Sequence, residues 1–219
     1  MNRVLILVEG LTEETFVGEI LKPHLENRGV VPIPALAVTK RVKSGPNFKG
    51  GIVSYGKIKN DIKRLLNDTS AVAVTTMIDF YGLPSDFPGY HTMPKQDSYA
   101  KVAHLEKAFG KDIDHHKFFP YLQLHEFEAL IFVAPEKIAT YFPNTNKLNE
   151  LRQIKSTFHS PEEIDDGPET APSKRLKSLF PSYEKNLYGP LATLEIGLAE
   201  ICRECAHFRG WLEWLETLG

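Results

Sequence analysis

Cysteine is nearly missing from this chain. Cys202 and Cys205 are the only two in 219 residues, so no disulfide framework holds the fold and no second pair completes a zinc site. Long apolar runs are missing too. None approaches the ~20 residues of a membrane span, and the opening Met1-Asn2-Arg3 with the apolar Val4 to Val8 is too short for a signal peptide and lacks a small-residue cleavage site. A cytoplasmic location without membrane contact is the expectation. Neither sign of charge dominates: 26 basic against 28 acidic residues give a net charge of −2. That excludes a histone-like grip on nucleic acid by bulk charge. No Gly-x-Gly-x-x-Gly and no phosphate-loop lysine motif is present, which argues against nucleotide hydrolysis. What remains is 42% hydrophobic and 25% charged, the composition of a protein held by an ordinary core.

Apolar runs alternate with amphipathic stretches over residues 1–134. Val4 to Val8 reads as a strand buried on both faces of a parallel sheet. Thr12 can cap a helix whose first turn carries Glu13 and Glu14, with Phe16, Val17, Ile20, Leu21 and Leu25 at helical spacing and Pro23 expected to kink it. A second strand fits Val30 to Val38, where Pro32 and Pro34 argue for an edge. A helix over residues 57–66, a strand from Ala71 to Ile78, a loop from Tyr81 to Pro94, a helix through Val102, Leu105 and Phe109, and a strand from Phe118 to Leu124 follow. Strand and helix in alternation predict an α/β fold, a parallel sheet of about four strands with flanking helices and right-handed crossovers. From Glu126 the pattern is helical only, with helices expected at 135–141, 147–158, 173–180, 191–205 and 208–218. Residues 135–219 thus form a C-terminal helical extension packed on the sheet domain.

Ligands of open parallel sheets bind at the carboxyl ends of the strands. Glu9 follows the first strand, with Glu13 one helical turn on. Asp79 follows the third, and Glu126 and Glu128 follow the fourth. Each has a plain structural reading by itself: a helix cap or surface charge for Glu9, loop amides for Asp79, helix-start dipoles for Glu126 and Glu128. Together they aim up to five carboxylates at one edge, where they repel unless a cation neutralises them. Oxygen-only ligation suits Mg2+ or Mn2+.

A second feature is basic. Eight of the residues from Lys40 to Arg64 are Lys or Arg (Lys40, Arg41, Lys43, Lys49, Lys57, Lys59, Lys63, Arg64), against one acid, Asp61. Gly45, Gly50 and Gly51 let backbone amides approach a phosphate. The segment reads either as a local nucleic-acid-binding arm or as a solvated face. The Cys202–Cys205 spacing reads as buried helical cysteines, and His125 reads as an orienting or packing residue beside the acidic pair.

The motif Val8-Glu9-Gly10-Leu11-Thr12-Glu13 resembles the opening of Toprim domains, which occur in topoisomerases, primases, ribosomal-RNA maturases and overcoming-lysogenization-defect nucleases, and it is most similar to the nuclease branch. Through Met77-Ile78-Asp79-Phe80-Tyr81-Gly82-Leu83-Pro84, Leu124-His125-Glu126-Phe127-Glu128-Ala129, residues 167–175 and Glu204-Cys205-Ala206-His207-Phe208, nearly the whole chain resembles a bacterial Toprim-like family of unknown function. The resemblance implies a Toprim-like sheet and a metal-dependent nuclease acting on DNA or RNA, in which Glu9, Glu13, Asp79, Glu126 and Glu128 hold Mg2+ or Mn2+. Glu9 and Asp79 are its catalytic carboxylates, and Lys174 or Arg175 the basic residue that steadies the phosphate. Lys40, Arg41, Lys43 and Lys49 with Arg175 are the residues expected on nucleic acid. The resemblance also implies an AAA or ABC-type ATPase partner in phage or plasmid defence; a homodimer is a further expectation. One departure stands out: the second aspartate of the Asp-x-Asp motif is Tyr81 here, and a phenol is a poor magnesium ligand. That substitution favours the rival reading, a non-catalytic Toprim-like subunit that binds nucleic acid or regulates an ATPase.

Overall fold

The computed structural model describes residues 1–37, 54–164, 167 and 169–219. Its sheet is built from β1 (Asn2–Val8), β2 (Val30–Leu36), β3 (Ala71–Asp79), β4 (Phe118–Phe119) and β5 (Leu122–Gln123), all paired in parallel. The order is β2-β1-β3-β4, with β5 pairing further along β3. Pro32 and Pro34 sit on β2, which is an edge strand as their missing N–H groups require.

The helix after β1 opens as α1 (Leu11–Phe16) and closes as α2 (Lys22–Glu26), with a π-helical turn over Val17–Leu21 between them. A wider turn stands just ahead of Pro23, where a kink is expected, and in it the Lys22 N–H bonds back to the carbonyl of Val17. Pro23 has no N–H for the carbonyl four residues earlier and its ring crowds that group, so a wider turn relieves both.

The expected strand from Phe118 to Leu124 is two short pieces, β4 and β5, with Pro120 between them. The buried Thr76 side chain bridges the gap. Its Oγ1 donates to the Tyr121 carbonyl at 2.6 Å, and the Tyr121 N–H reaches the same oxygen at 3.1 Å. A side chain thus supplies what the interrupted ladder cannot.

On one face, α3 (Tyr55–Leu66) and α4 (Ser98–Ile113) pack Ile58, Ile62, Val102, Leu105 and Phe109 against Leu5, Leu7, Val74 and Ile78. On the other, Val4, Ile6 and Val8 meet Phe16, Leu21, Trp211, Leu212 and Leu215. Alternate residues of β1 therefore feed opposite cores, the period of two that a strand dictates. After β5 the chain forms a fully buried 3-10 segment, Phe127–Val133, then α5 (Pro135–Thr140), α6 (Leu148–Ser156) and α7 (Pro172–Leu179). The remaining helices are α8 (Lys185–Ile196), α9 (Leu198–Glu204) and α10 (Ala206–Glu216).

The single long helix expected from Leu191 to Cys205 does not form. The chain instead starts α8 six residues earlier, carries Pro190 inside it, and breaks at Gly197, whose φ of 83° ends one helix and starts the next. The C-terminal helices return to the sheet: Trp211 of α10 bonds Thr75 of β3 through Nε1 at 3.0 Å and stacks on Tyr121 at 4.4 Å. Glu162, fully buried, accepts the N–H groups of His207 and Phe208 and fixes the start of α10. Among the described residues no helix is long and apolar enough to cross a membrane.

Candidate metal centre

Sheet register brings the acidic residues to one edge. Val8 pairs with Met77, so Glu9 and Asp79 leave adjacent strands side by side. Asp79 pairs with Gln123, and the Tyr81 N–H continues the contact to the carbonyl of His125 at 2.8 Å. His125 takes the left-handed conformation, φ 57°, and is buried against Phe80. That sharp turn sends the next residues, Glu126 and Glu128, back toward Asp79.

Each carboxylate is held from a different element. Glu13 on α1 accepts the Gly10 N–H at 2.9 Å, and Asp79 accepts the Phe127 N–H at 3.0 Å. Glu126 accepts the Ser173 N–H, at the start of α7, at 2.9 Å. Glu128 is fully buried, and neither of its oxygens has a hydrogen bond; the same is true of Glu13 Oε1. The Tyr183 hydroxyl stands beside Glu128 short of hydrogen-bond geometry, and burial together with that carboxylate pushes its ionisation up.

One cation faces these groups. Lys185 Nζ lies 3.2 Å from Glu128 Oε2, 3.6 Å from Asp79 Oδ2 and 3.7 Å from Glu13 Oε1. Among the described residues no other cation stands within 4 Å of these three carboxylates. Lys185 is the first residue of α8, and tight packing sets it there. A Cβ at Gly189 would come within 3.0 Å of Thr12 Cγ2 and 3.4 Å of a Phe127 ring carbon, so any other residue would have to push Thr12 or Phe127 aside where α8 meets α1 and the 3-10 segment. Thr12 also donates to Asn186 at 2.9 Å across the same contact.

The electrostatics follow from burial and crowding. Desolvation first, then Glu13, push the Glu9 carboxyl up to about 7, against the pull of Lys185 and the Asp79 backbone N–H. Asp79 is held well above the usual carboxylate range by burial, with Glu13, Glu9 and Glu128 adding to it and Lys185 opposing. Burial likewise raises Glu128. Desolvation works to lower Lys185, yet Glu128, Asp79 and Glu13 together hold its ammonium well above its ordinary range.

As the side chains stand, no three His, Cys, Asp or Glu groups among the described residues are gathered tightly enough to hold a metal ion. The donor set nonetheless fits a hard cation. Three carboxylate oxygens surround one point at 3.2–3.7 Å, and two of the three residues carry buried oxygens that make no hydrogen bond. Magnesium–oxygen contacts of about 2.0–2.1 Å would need each of these contacts to shorten by roughly 1.1–1.7 Å.

Lys174, expected on the phosphate, is exposed on α7 and makes no ion pair with these carboxylates among those described; the ammonium at the cluster is Lys185. Arg175 bonds the Thr170 carbonyl at 2.6 Å and lies over the Phe158 ring. Lys40, Arg41, Lys43 and Lys49 lie outside the described residues, while Lys57, Lys59, Lys63 and Arg64 sit on α3. Lys59 is paired with Asp112 and Arg64 with Asp61. Cys202 is half-buried on α9, whereas Cys205 is buried at the junction of α9 and α10 rather than within a helix, because the helix breaks there. Sequence reading misses Lys185 because Pro190 hides the start of its helix. The signal is Gly189, Ala192, Thr193 and Ile196, small or apolar residues at helical spacing that α8 buries.

Over residues 8–216 the chain matches the family described as a domain of unknown function (DUF4276), and it belongs to that family. No curated protein sequence matches it. Among solved structures it is similar to the C-terminal region of the Burkholderia pseudomallei OLD protein, at 18% identity over 100% of both chains and a TM-score of 0.46. It is also similar to the C-terminal region of the Xanthomonas campestris pv. campestris OLD protein in a structure phased with mercury. There the identity is 17%, with 99% of this chain and 96% of that chain covered and a TM-score of 0.45.

Proposed function

We propose that this protein is a metal-dependent phosphodiester hydrolase of Toprim type, acting on DNA or RNA. The observation that carries the reading is the meeting of Glu13, Asp79 and Glu128 around one cationic point at the carboxyl edge of a parallel sheet. The likeness of Glu9 to Glu13 and of Asp79 to Toprim motifs supports it. Glu13, Asp79 and Glu128 would hold Mg2+ or Mn2+, with Glu126 adding an oxygen from its place at the α7 N-terminus. Such an ion, when bound, polarises the scissile phosphate and acidifies water. Glu9, beside Asp79 at the same edge, would accept a proton from the attacking water. Lys185, in the place foreseen for Lys174, would hold a phosphate oxygen as charge builds on it. Lys40, Arg41, Lys43 and Lys49 would supply phosphate contacts, and an AAA or ABC-type ATPase in phage or plasmid defence is the partner the resemblance implies.

Tyr81 favours a second reading. It stands where Toprim enzymes carry a second aspartate, and a chain without that ligand would bind nucleic acid or regulate an ATPase without cutting. Purified protein incubated with plasmid DNA and with RNA, with Mn2+ or EDTA, separates the two. The hydrolase cuts one substrate with Mn2+ only, and Asp79→Asn abolishes cutting while circular dichroism stays native. If neither nucleic acid is cut, the non-catalytic reading replaces the first.

A further inference from the structure

The Lys185 side chain is 38% exposed, yet its ammonium is drawn to the acidic edge of the sheet. It stands at the point on which three carboxylates from three elements converge, α1 for Glu13, the end of β3 for Asp79 and the buried 3-10 segment for Glu128. Glu128 is fully buried, and both its oxygens are without a hydrogen bond. Fixed backbone donors hold Glu13 and Asp79 by one oxygen each and leave the other aimed at the same point. A single positive charge cannot balance this many anions, and its distances of 3.2–3.7 Å are long for tight charge-assisted bonds. The arrangement is a cation site filled by a loose occupant.

Resting on the hydrolase reading above, we propose that Lys185 is the resident counter-ion of the metal-free centre, and that a divalent metal and this ammonium compete for one position. Both cannot stand at the same point, because each would fill the one space that the three carboxylate oxygens face. Lys185 can leave without disturbing its helix. It is the first residue of α8, its side chain is 38% exposed, and four methylenes let the ammonium swing to the rim. Metal entry thus releases the lysine toward the place where a nucleic-acid phosphate arrives. The phosphate-holding cation becomes available only once the metal is in, so the two parts of the site are armed in a fixed order. In the metal-free state the same lysine prevents mutual repulsion from forcing the carboxylates apart.

Lys185→Met keeps the length of the stem and removes the charge. Mn2+ binding, measured by calorimetry without nucleic acid, becomes tighter by about tenfold, because the metal no longer has to displace a partly exposed ammonium from three carboxylates. A lysine acting only on the phosphate leaves Mn2+ affinity unchanged. Because the variant lacks its counter-ion and can fold poorly without metal, the wild type supplies an independent measurement. Acetic anhydride labelling read by mass spectrometry shows Lys185 protected in EDTA and several-fold more reactive with Mn2+, while Lys174, away from the cluster, reacts equally in both. Equal affinity of the two proteins, or unchanged Lys185 labelling when Mn2+ binds, overturns the counter-ion role and leaves the metal centre standing. If neither protein binds Mn2+, the metal centre and the counter-ion role fall together.

Discussion

Replacing Glu9 by glutamine removes one charge from the crowded edge and keeps the side chain's size. In the folded, metal-free protein the Glu9 carboxyl holds its proton up to about pH 7, against 4.5 for an ordinary glutamate. Between those values the folded state binds more protons than the unfolded one, so stability must fall as pH rises through this window. The contribution is fully present below pH 4.5 and is lost above pH 7. The gap from 4.5 to about 7, at ~1.36 kcal/mol for each pH unit, comes to about 3 kcal/mol. Glutamine does not titrate, so Glu9→Gln keeps that stability at every pH. Asp79 and Glu128 are displaced the same way and remain in both proteins, so the variant retains a smaller decline. Lys185 is held above its ordinary range and loses its contribution only at alkaline pH, outside the window. Urea denaturation in EDTA at pH 5, 6, 7 and 8 reads the effect directly. The wild type should lose about 2–3 kcal/mol more than the variant between pH 5 and pH 8. Saturating Mn2+ should stabilise both proteins at pH 8, because a ligand bound only by the native state adds to its stability. Parallel pH profiles for the two proteins would refute the argument, since Glu9 would then not share the electrostatics of the cluster.

Two other outcomes are expected. Glu162→Ala strips the His207 and Phe208 N–H groups and the Tyr99 hydroxyl of their shared acceptor, and should cost about 2–4 kcal/mol in chemical denaturation. Alanine at Lys40, Arg41 and Lys43 should weaken binding to duplex DNA and flatten log K against log salt by about 0.9 for each phosphate no longer neutralised; an unaltered slope would make the segment a solvated face.

Much of the sheet is legible in the chain because the signals are strong and local. Val4 to Val8 is apolar without interruption, Pro32 and Pro34 mark an edge, and strand ends carry the acids. Where the outcome depends on tertiary contact, the sequence is silent. Nothing local announces that the Thr76 side chain bridges the Pro120 gap between β4 and β5. Nor does a pattern show that a π-helical turn forms ahead of Pro23.

Lys185 illustrates the limit in chemical terms. Proline inside a helix removes one N–H and crowds the preceding turn, a cost that reads as a boundary in any local argument. Pro190 lies only six residues into α8, and the start of that helix is held by other means: Gly189 against Thr12 and Phe127, the Asn186 bond to Thr12, and the ion pairs of Lys185 itself. Those contacts exist only when α1, the 3-10 segment and α8 are already assembled. The same three pieces carry Glu13, Glu128 and the lysine. The contacts that seat α8 and those that complete the site therefore lie on the same three elements, and a lesion at the α1–α8 contact should remove the site's cation together with the stability of the helix that bears it.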